Sequence, residues 1–574
     1  MATTLQEIKE MIGAKNKAGP RISRFNTLRT NQKLQQKYID LKYEIEIHAE
    51  FRKIKLPTAR QIVDTFVAHL PLSTPVVKVV PFSDTNPYRD RAEKQREYFD
   101  ALLQWNMRQT LNAVRDSAKD LGARGEAFIK VVWDENAIGA AVAGDDDKRK
   151  ELMLERMPLK IMCREPMNCY PSADHIDCRP VSMLEQYTVI AEQVKRIWPN
   201  WKKTIADNRP VVIDEWWTAK EMAYFADGVP LLKDGIVDNT YGLVPYIHCY
   251  TGLGYRDGDN SPESLAVGLI QYSIDLLKQQ CRYHAYLDKA IAFASIPIYD
   301  LPGTPDDYEE GGKKLVPKPG DVLYRGDREG EPPKIIWAAN NIPAGIMQSI
   351  GLNDMMLGKV QPQVLRGEAP SGVEAGYPMA LMIGEARLQY GIPLENLQVL
   401  WARAMELVRL LIRDVVKEDV PIWGEKSALT MNQDDCKGAY RVSVEFDATT
   451  PEAAMNRAVG LQRLRQGGSI SLETELELNS MIKNARKEKI RIDAESLSRH
   501  PAIQRVTAVK AIRAKEGEEE AMAVAEAMAE GEAGAERKAA SSGIPQGGET
   551  EAELPEDILA GAIGRRGKAL RGQK

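Results

Sequence analysis

SPESLAVGLIQYSIDLLKQQCRYHAYLDKAIAFA, residues 261–294, is the stretch whose reading decides the fold. Ser261 is a good N-cap and Pro262 stands at the first helical position, where a missing N–H costs nothing. Leu265, Leu269, Tyr272, Leu276, Tyr283, Leu287 and Ile291 recur at helical spacing on one face. Gln271, Asp275, Lys278, Arg282 and Lys289 share another. One unbroken helix over 261–294 would reach roughly 50 Å. Such a helix is by itself ordinary; what surrounds it is not.

Downstream comes an extended excursion over 295–342 with Pro and Gly punctuation. It carries the basic residues Lys313, Lys314, Lys318, Arg325, Arg328 and Lys334. A shorter helix is expected from Pro343 to Lys359. Residues 360–377 form a Gly/Pro-rich segment too long for a tight turn, with Lys359, Gln361, Gln363, Arg366 and Glu368 as its polar candidates. Pro378 opens a second long helix to Lys417, which Gly391-Ile392-Pro393 should kink.

The flanks add mixed structure. Residues 1–250 contain helical runs, among them one starting at Pro57 and one over Arg91–Leu121. Strand signals lie at Val76–Val80, Glu126–Asp134, Leu159–Cys163, Tyr187–Ile190 and Val211–Trp217. Glu126–Asp134 alternates like a half-buried strand, and Asp145–Lys150 reads as a solvated charge run. A strand is expected at Tyr440–Phe446, then a helix from Pro451 to Arg465, a break at Gly467-Gly468 and further helix to about Lys515. From Glu516 the chain is rich in Ala, Glu, Gly and Met, and 531–574 is a low-complexity tail with a basic tip. The class is α+β, predominantly helical.

The chain has 574 residues, which suggests about four domains or sub-domains. Its 77 Lys plus Arg against 82 Asp plus Glu leave a net charge of −5, unlike a tight nucleic-acid binder. The balance does not exclude contact with DNA. Six cysteines in so long a chain point to a reducing compartment. The first residues contain no signal-peptide core, and no run of about 18 apolar residues occurs, so no membrane association is expected.

Catalysis finds no anchor. Gly351–Val360 ends in Gly-Lys, but Val360 stands where a phosphate-binding loop needs Ser or Thr. Cys163, Cys169, His175 and Cys178 number enough for zinc, yet the five residues between the first two cysteines are too many for a knuckle. The carboxylate pairs Asp306/Asp307 and Glu309/Glu310 sit in a polar loop. No catalytic, metal or cofactor site is therefore expected.

The order of elements resembles that of tailed-bacteriophage portal proteins, the head-to-tail connectors. Residues 261–294 resemble the first stem helix, 295–342 the clip, 343–359 the second stem helix, 360–377 the tunnel loop and 378–450 the long kinked wing helix with a returning strand. Residues 1–260 look like the wing, with Leu56–Val63 and Leu121–Val131 as wing-like pieces, and 451–530 the crown. The tail after Glu516 goes beyond the usual pattern. The resemblance implies a dodecameric ring at one capsid vertex, assembled in the host cytoplasm, through which double-stranded DNA is packaged and ejected. It implies the terminase large subunit, major capsid and scaffolding proteins and a head–tail adaptor as partners. Lys278, Arg282 and Lys289 would then face the channel, Lys359, Gln361, Gln363, Arg366 and Glu368 would meet DNA, and Lys313, Lys314, Lys318, Arg325 and Arg328 would dock the motor. A head–tail adaptor is the alternative reading, against which the chain's length argues, and an ATPase or nuclease is a third.

Overall fold

The computed structural model describes residues 5–499, except 15–16, 50, 71–74, 84, 139–145, 173–177, 202, 296–298, 302–321, 325–333, 336–343, 361–362, 367–381, 383, 425–426, 447–450, 480–481 and 483–484. The chain divides into two compact units, Met1–Thr450 and Pro451–Lys574. Helix outweighs strand, and the strands form several small sheets, as an α+β class requires.

The first unit is organised around helix Gly391–Leu411. Trp401, Met405, Val408 and Leu411 on it are fully buried. One side meets the ribbon of Pro75–Pro81 and Tyr440–Phe446, antiparallel with Val77 opposite Val444. Another side meets strand Glu126–Trp133, the centre of a three-stranded sheet between Tyr246–Tyr250 and Leu159–Arg164. Helix Ala113–Arg124 covers the same strand. Residues 126–131 are consequently buried on both faces, not half-buried as alternation suggested. A sheet of six strands, with Ser182–Ile190 paired along its length to Pro210–Thr218, seats Trp216 and Phe225 against Ile8 and Leu28 of the N-terminal helices and Phe25 in the turn before the helix of Leu28.

Several expected elements are divided. The helix expected over Arg91–Leu121 is two, Asn86–Met107 and Ala113–Arg124. Asn112 restarts the second by accepting the Arg115 N–H at 3.0 Å, the usual duty of an N-cap. Pro57 precedes its helix, Thr58–His69, rather than occupying the first turn. In the charged run at 145–150, Asp146, Asp147 and Lys148 are exposed as expected, but the described residues are not a loop. They open helix Asp146–Arg156, and Arg149 and Lys150 pair with Glu418 and Asp419 at 2.8 and 2.9 Å.

The long helix expected over 261–294 is broken as well. A single turn, Pro262–Leu265, is followed by non-helical residues, a 3-10 turn Gln271–Ser273 and helix Ile274–Ser295. The backbone groups that would continue the helix are used elsewhere. Leu269 N–H donates to Gly122 O at 2.8 Å, and Val267 O accepts the Thr251 hydroxyl at 2.8 Å. Ser261 does not cap the turn; its hydroxyl donates to the Asp257 carboxylate. The helix that remains spans about 33 Å.

The second long helix also breaks. Residues 384–388 are helical, Gln389 and Tyr390 form a turn, and helix Gly391–Leu411 starts afresh. Pro393 falls in its first turn, where the missing N–H would be an orphan in any case. So Gly391-Ile392-Pro393 separates two helices instead of kinking one. Ile412–Val416 continues as a π-turn to Lys417, whose φ of +56° ends it.

In the second unit, helix Pro451–Gln466 ends at Gly467-Gly468, as expected, with Gly468 at φ +71°. Ser471 caps Leu472–Leu478 by accepting Thr474 N–H at 3.1 Å, and Ala485–Arg499 follows. Residues 500–574, with the expected tail, lie outside the described residues.

Candidate functional site

The two helices on either side of the expected excursion pack as a hairpin, and of the excursion the described residues are three short strands. Helix Ile274–Ser295 packs on helix Ala344–Val360. Between them in sequence, Tyr299–Leu301 lies parallel to Val322–Tyr324 and antiparallel to Lys334-Ile335. The continuous helix Ala344–Val360 encloses Gly351–Val360, so these residues form no phosphate-binding loop.

The buried stripe of the first hairpin helix differs from the expected one. Ile274, Leu277, Cys281 and Ala285 are buried, while Ile291 is 46% exposed and Tyr272, in the turn before the helix, 75%. The helix begins at Ile274 rather than Ser261, so its phase is set by what it packs on. That surface is Tyr38, Tyr43, Ile45, Ile62 and Val63. Gln280 ties the hairpin together, donating to Asp354 at 3.0 Å and accepting the Thr58 hydroxyl at 2.8 Å.

Lys278, Arg282 and Lys289 do share one helix, but each has a local neighbour. Lys278 pairs with Asp275 at 3.1 Å and Arg282 with Glu46 at 3.4 Å. The Lys289 ammonium stands 4.5 Å from the centre of the Phe51 ring. Lys278 and Arg282 line a shallow groove with Tyr38, Tyr43, Glu44, Ile45 and Glu46. The two glutamates offset much of this positive charge, so a purely cationic stripe does not form.

Of the segment after the hairpin, Lys359 is exposed on the last turn of its helix. Gln363 and Arg366 bound a 3-10 turn whose Val364 and Leu365 are buried. Gln361 and Glu368 lie outside the described residues, as do Lys313, Lys314, Lys318, Arg325 and Arg328.

A cluster of buried charges escaped the sequence reading. Glu126 is fully buried among Arg29, Gln32 and His248. Lys130 reaches Glu215, with Glu185 at 3.9 Å, and Arg164 pairs with Glu185. Tyr246 donates to Glu185 at 2.6 Å and Tyr224 to Glu215 at 3.2 Å. Burial raises the Glu126 pKa, but the Arg29 charge and the His248 hydrogen bond outweigh it and bring the carboxyl down to about 2. The signal was available: Glu126, Phe128 and Lys130 lie on one face of a strand, so two charges sit within an apolar run. Three carboxylates meet three permanent cations in close contact. The cluster is a structural clasp between sheets.

Asp120 behaves differently. Burial, only partly offset by Arg124, lifts its carboxyl to about 7, and Cys163 donates to it at 3.3 Å. Cys169, Cys249, Cys281 and Cys436 are buried thiols. His175 lies outside the described residues, and among the described ones no group of three or more His, Cys, Asp or Glu is placed to hold a metal ion.

No family model matches the chain, and no curated protein matches it. Among the described residues no helix is long and apolar enough to cross a membrane.

Proposed function

We propose that this chain is the subunit of a portal-type ring, a channel for double-stranded DNA at a capsid vertex. The observation that carries the reading is the under-packed hairpin. Among the described side chains of helix Ala344–Val360 only Asn353 and Leu357 are buried. Met347, Leu352, Met355 and Met356 are each about half exposed, at 47 to 54%. On the other helix Tyr286 and Ile291 are exposed too, as is Tyr272 in the 3-10 turn before it. Apolar surface of this extent on one arm is unusual for a monomer and marks an interaction site. A neighbouring copy would cover it, and a head-to-tail contact that closes yields a ring.

In such a ring each hairpin side chain is repeated around the axis, so even paired charges make a patterned wall that guides DNA without reading bases. The packaging motor and tail adaptor would dock at the basic excursion between the helices. If so, Lys313/Lys314/Lys318→Glu abolishes capture of the motor in a pull-down; unchanged capture removes that role.

Electron microscopy of the purified full chain tests the ring. Closed rings of about a dozen subunits with an open centre are expected, whereas a monomer persisting at high concentration overturns the reading. Burial of one Met or Leu contributes about 1.5–3 kcal/mol. The triple change Leu352/Met355/Met356→Glu should therefore weaken assembly by at least about 100-fold in sedimentation, with the helical circular dichroism retained.

A further inference from the structure

Helix Thr58–His69 ends in a turn that holds two separate parts of the chain. Phe66 and His69 are three residues apart and so share a face. Phe66 meets the Tyr390 ring edge-on, with centres 5.1 Å apart. The His69 Nε2 lies 2.7 Å from Leu365 O, in the 3-10 turn Gln363–Arg366. Its Nδ1 lies 3.5 Å from Nη2 of Arg387, in the helical residues 384–388. A guanidinium can only donate, so Nδ1 accepts and Nε2 carries the hydrogen given to Leu365 O. Both ring nitrogens are thus committed, each to a different segment. The flanking apolar groups agree: Leu365 is 5% and Tyr390 3% exposed, in the same core as Phe66.

We infer that His69 is a positioning residue that couples the turn 363–366 to the helical residues 384–388 through one imidazole. The coupling extends further. Ile62 and Val63, on the same helix as His69, pack in one cluster with Ile274, Leu277 and Leu357 of the hairpin. A displacement of either segment is therefore passed to the base of the hairpin. What this transmission serves rests on the channel reading, in which the turn 363–366 belongs to the tunnel loop and residues 384–388 to the helix that follows it; the coupling itself does not.

Hydrogen exchange read by mass spectrometry on the full chain tests it. His69→Ala should speed exchange at both 363–366 and 384–390 by about tenfold, the net worth of a lost hydrogen bond, with strand Ser182–Ile190 unchanged. His69→Gln, whose amide can donate and accept, should restore most of the protection. Arg387→Gln should loosen 363–366, which are joined to Arg387 through the ring. Faster exchange at only one segment in His69→Ala, or no effect of Arg387→Gln at 363–366, overturns the inference. If His69→Ala also exposes Ser182–Ile190, the Arg387 variant alone decides. Micrographs of the same samples separate the two claims: coupling without rings removes the channel reading alone, and rings without coupling remove only the role of His69.

Discussion

Gly125→Ala should destabilise the first unit by about 3–5 kcal/mol, the combined scale of a left-handed backbone and an overpacked contact. Gly125 ends helix Ala113–Arg124 at φ +81°, a conformation glycine alone adopts without strain. A Cβ there would stand 2.3 Å from the Ala266 carbonyl carbon and 2.4 Å from Val267 N. Those are backbone atoms and cannot rotate away. They belong to the stretch that interrupts the long helix, and that stretch is itself held by Leu269 N–H on Gly122 O and by Thr251 on Val267 O. Gly268 makes the reciprocal approach, its Cβ direction meeting Ala123 O at 2.6 Å. Gly228, at φ +74° with open space around it, is the control. Its alanine variant should cost only the backbone term, about 1–2 kcal/mol. Urea denaturation of both variants isolates the clash as the difference. Equal midpoints would mean that the crossing relaxes easily and does not lock the root of the hairpin to the sheet.

Glu126→Gln should cost about 3–5 kcal/mol, the usual loss when one member of a buried ion pair is removed. Arg29 would be left without its carboxylate, and the 2.9 Å bond from Gln32 Nε2 and the 3.1 Å contact with His248 would be altered. The acid behaviour follows from the same geometry. The Glu126 carboxyl lies at about 2, against 4.5 for an ordinary glutamate. The unfolded chain therefore binds this proton more readily than the folded one. Its contribution, about 3 kcal/mol, is complete above pH 4.5 and is lost as pH falls toward 2. Thermal melts between pH 5 and pH 2 should drop steeply in the native protein and less steeply in Glu126→Gln. Parallel pH profiles would show that other carboxylates dominate acid unfolding.

Local chemistry was well legible in this chain. The strands Tyr440–Phe446 and Val76–Val80 were legible from their strand-like residues and the break at Gly467-Gly468 from its glycines, whereas Gly391-Ile392-Pro393 suggested a kink where the chain starts a new helix. The hairpin of helix, short strands and helix was legible in outline. The candidate site was less so. Lys278, Arg282 and Lys289 were visible as a stripe, but Glu46 and Phe51, which sit against Arg282 and Lys289, are more than 200 residues away in sequence. The His69 contacts with Leu365 and Arg387 had no sequence signal, since an isolated histidine near a helix end carries none.

The sequence alone determined where helices and strands can start and stop, because proline, glycine and the capping residues constrain φ and the hydrogen bonds of their immediate neighbours. Only the tertiary structure decided which of those permitted elements stay whole and which faces they bury. Residues 266–270 have a helical pattern, yet Leu269 N–H and Val267 C=O find partners on Gly122 and Thr251, and a backbone group that is bonded there is no longer available to the helix.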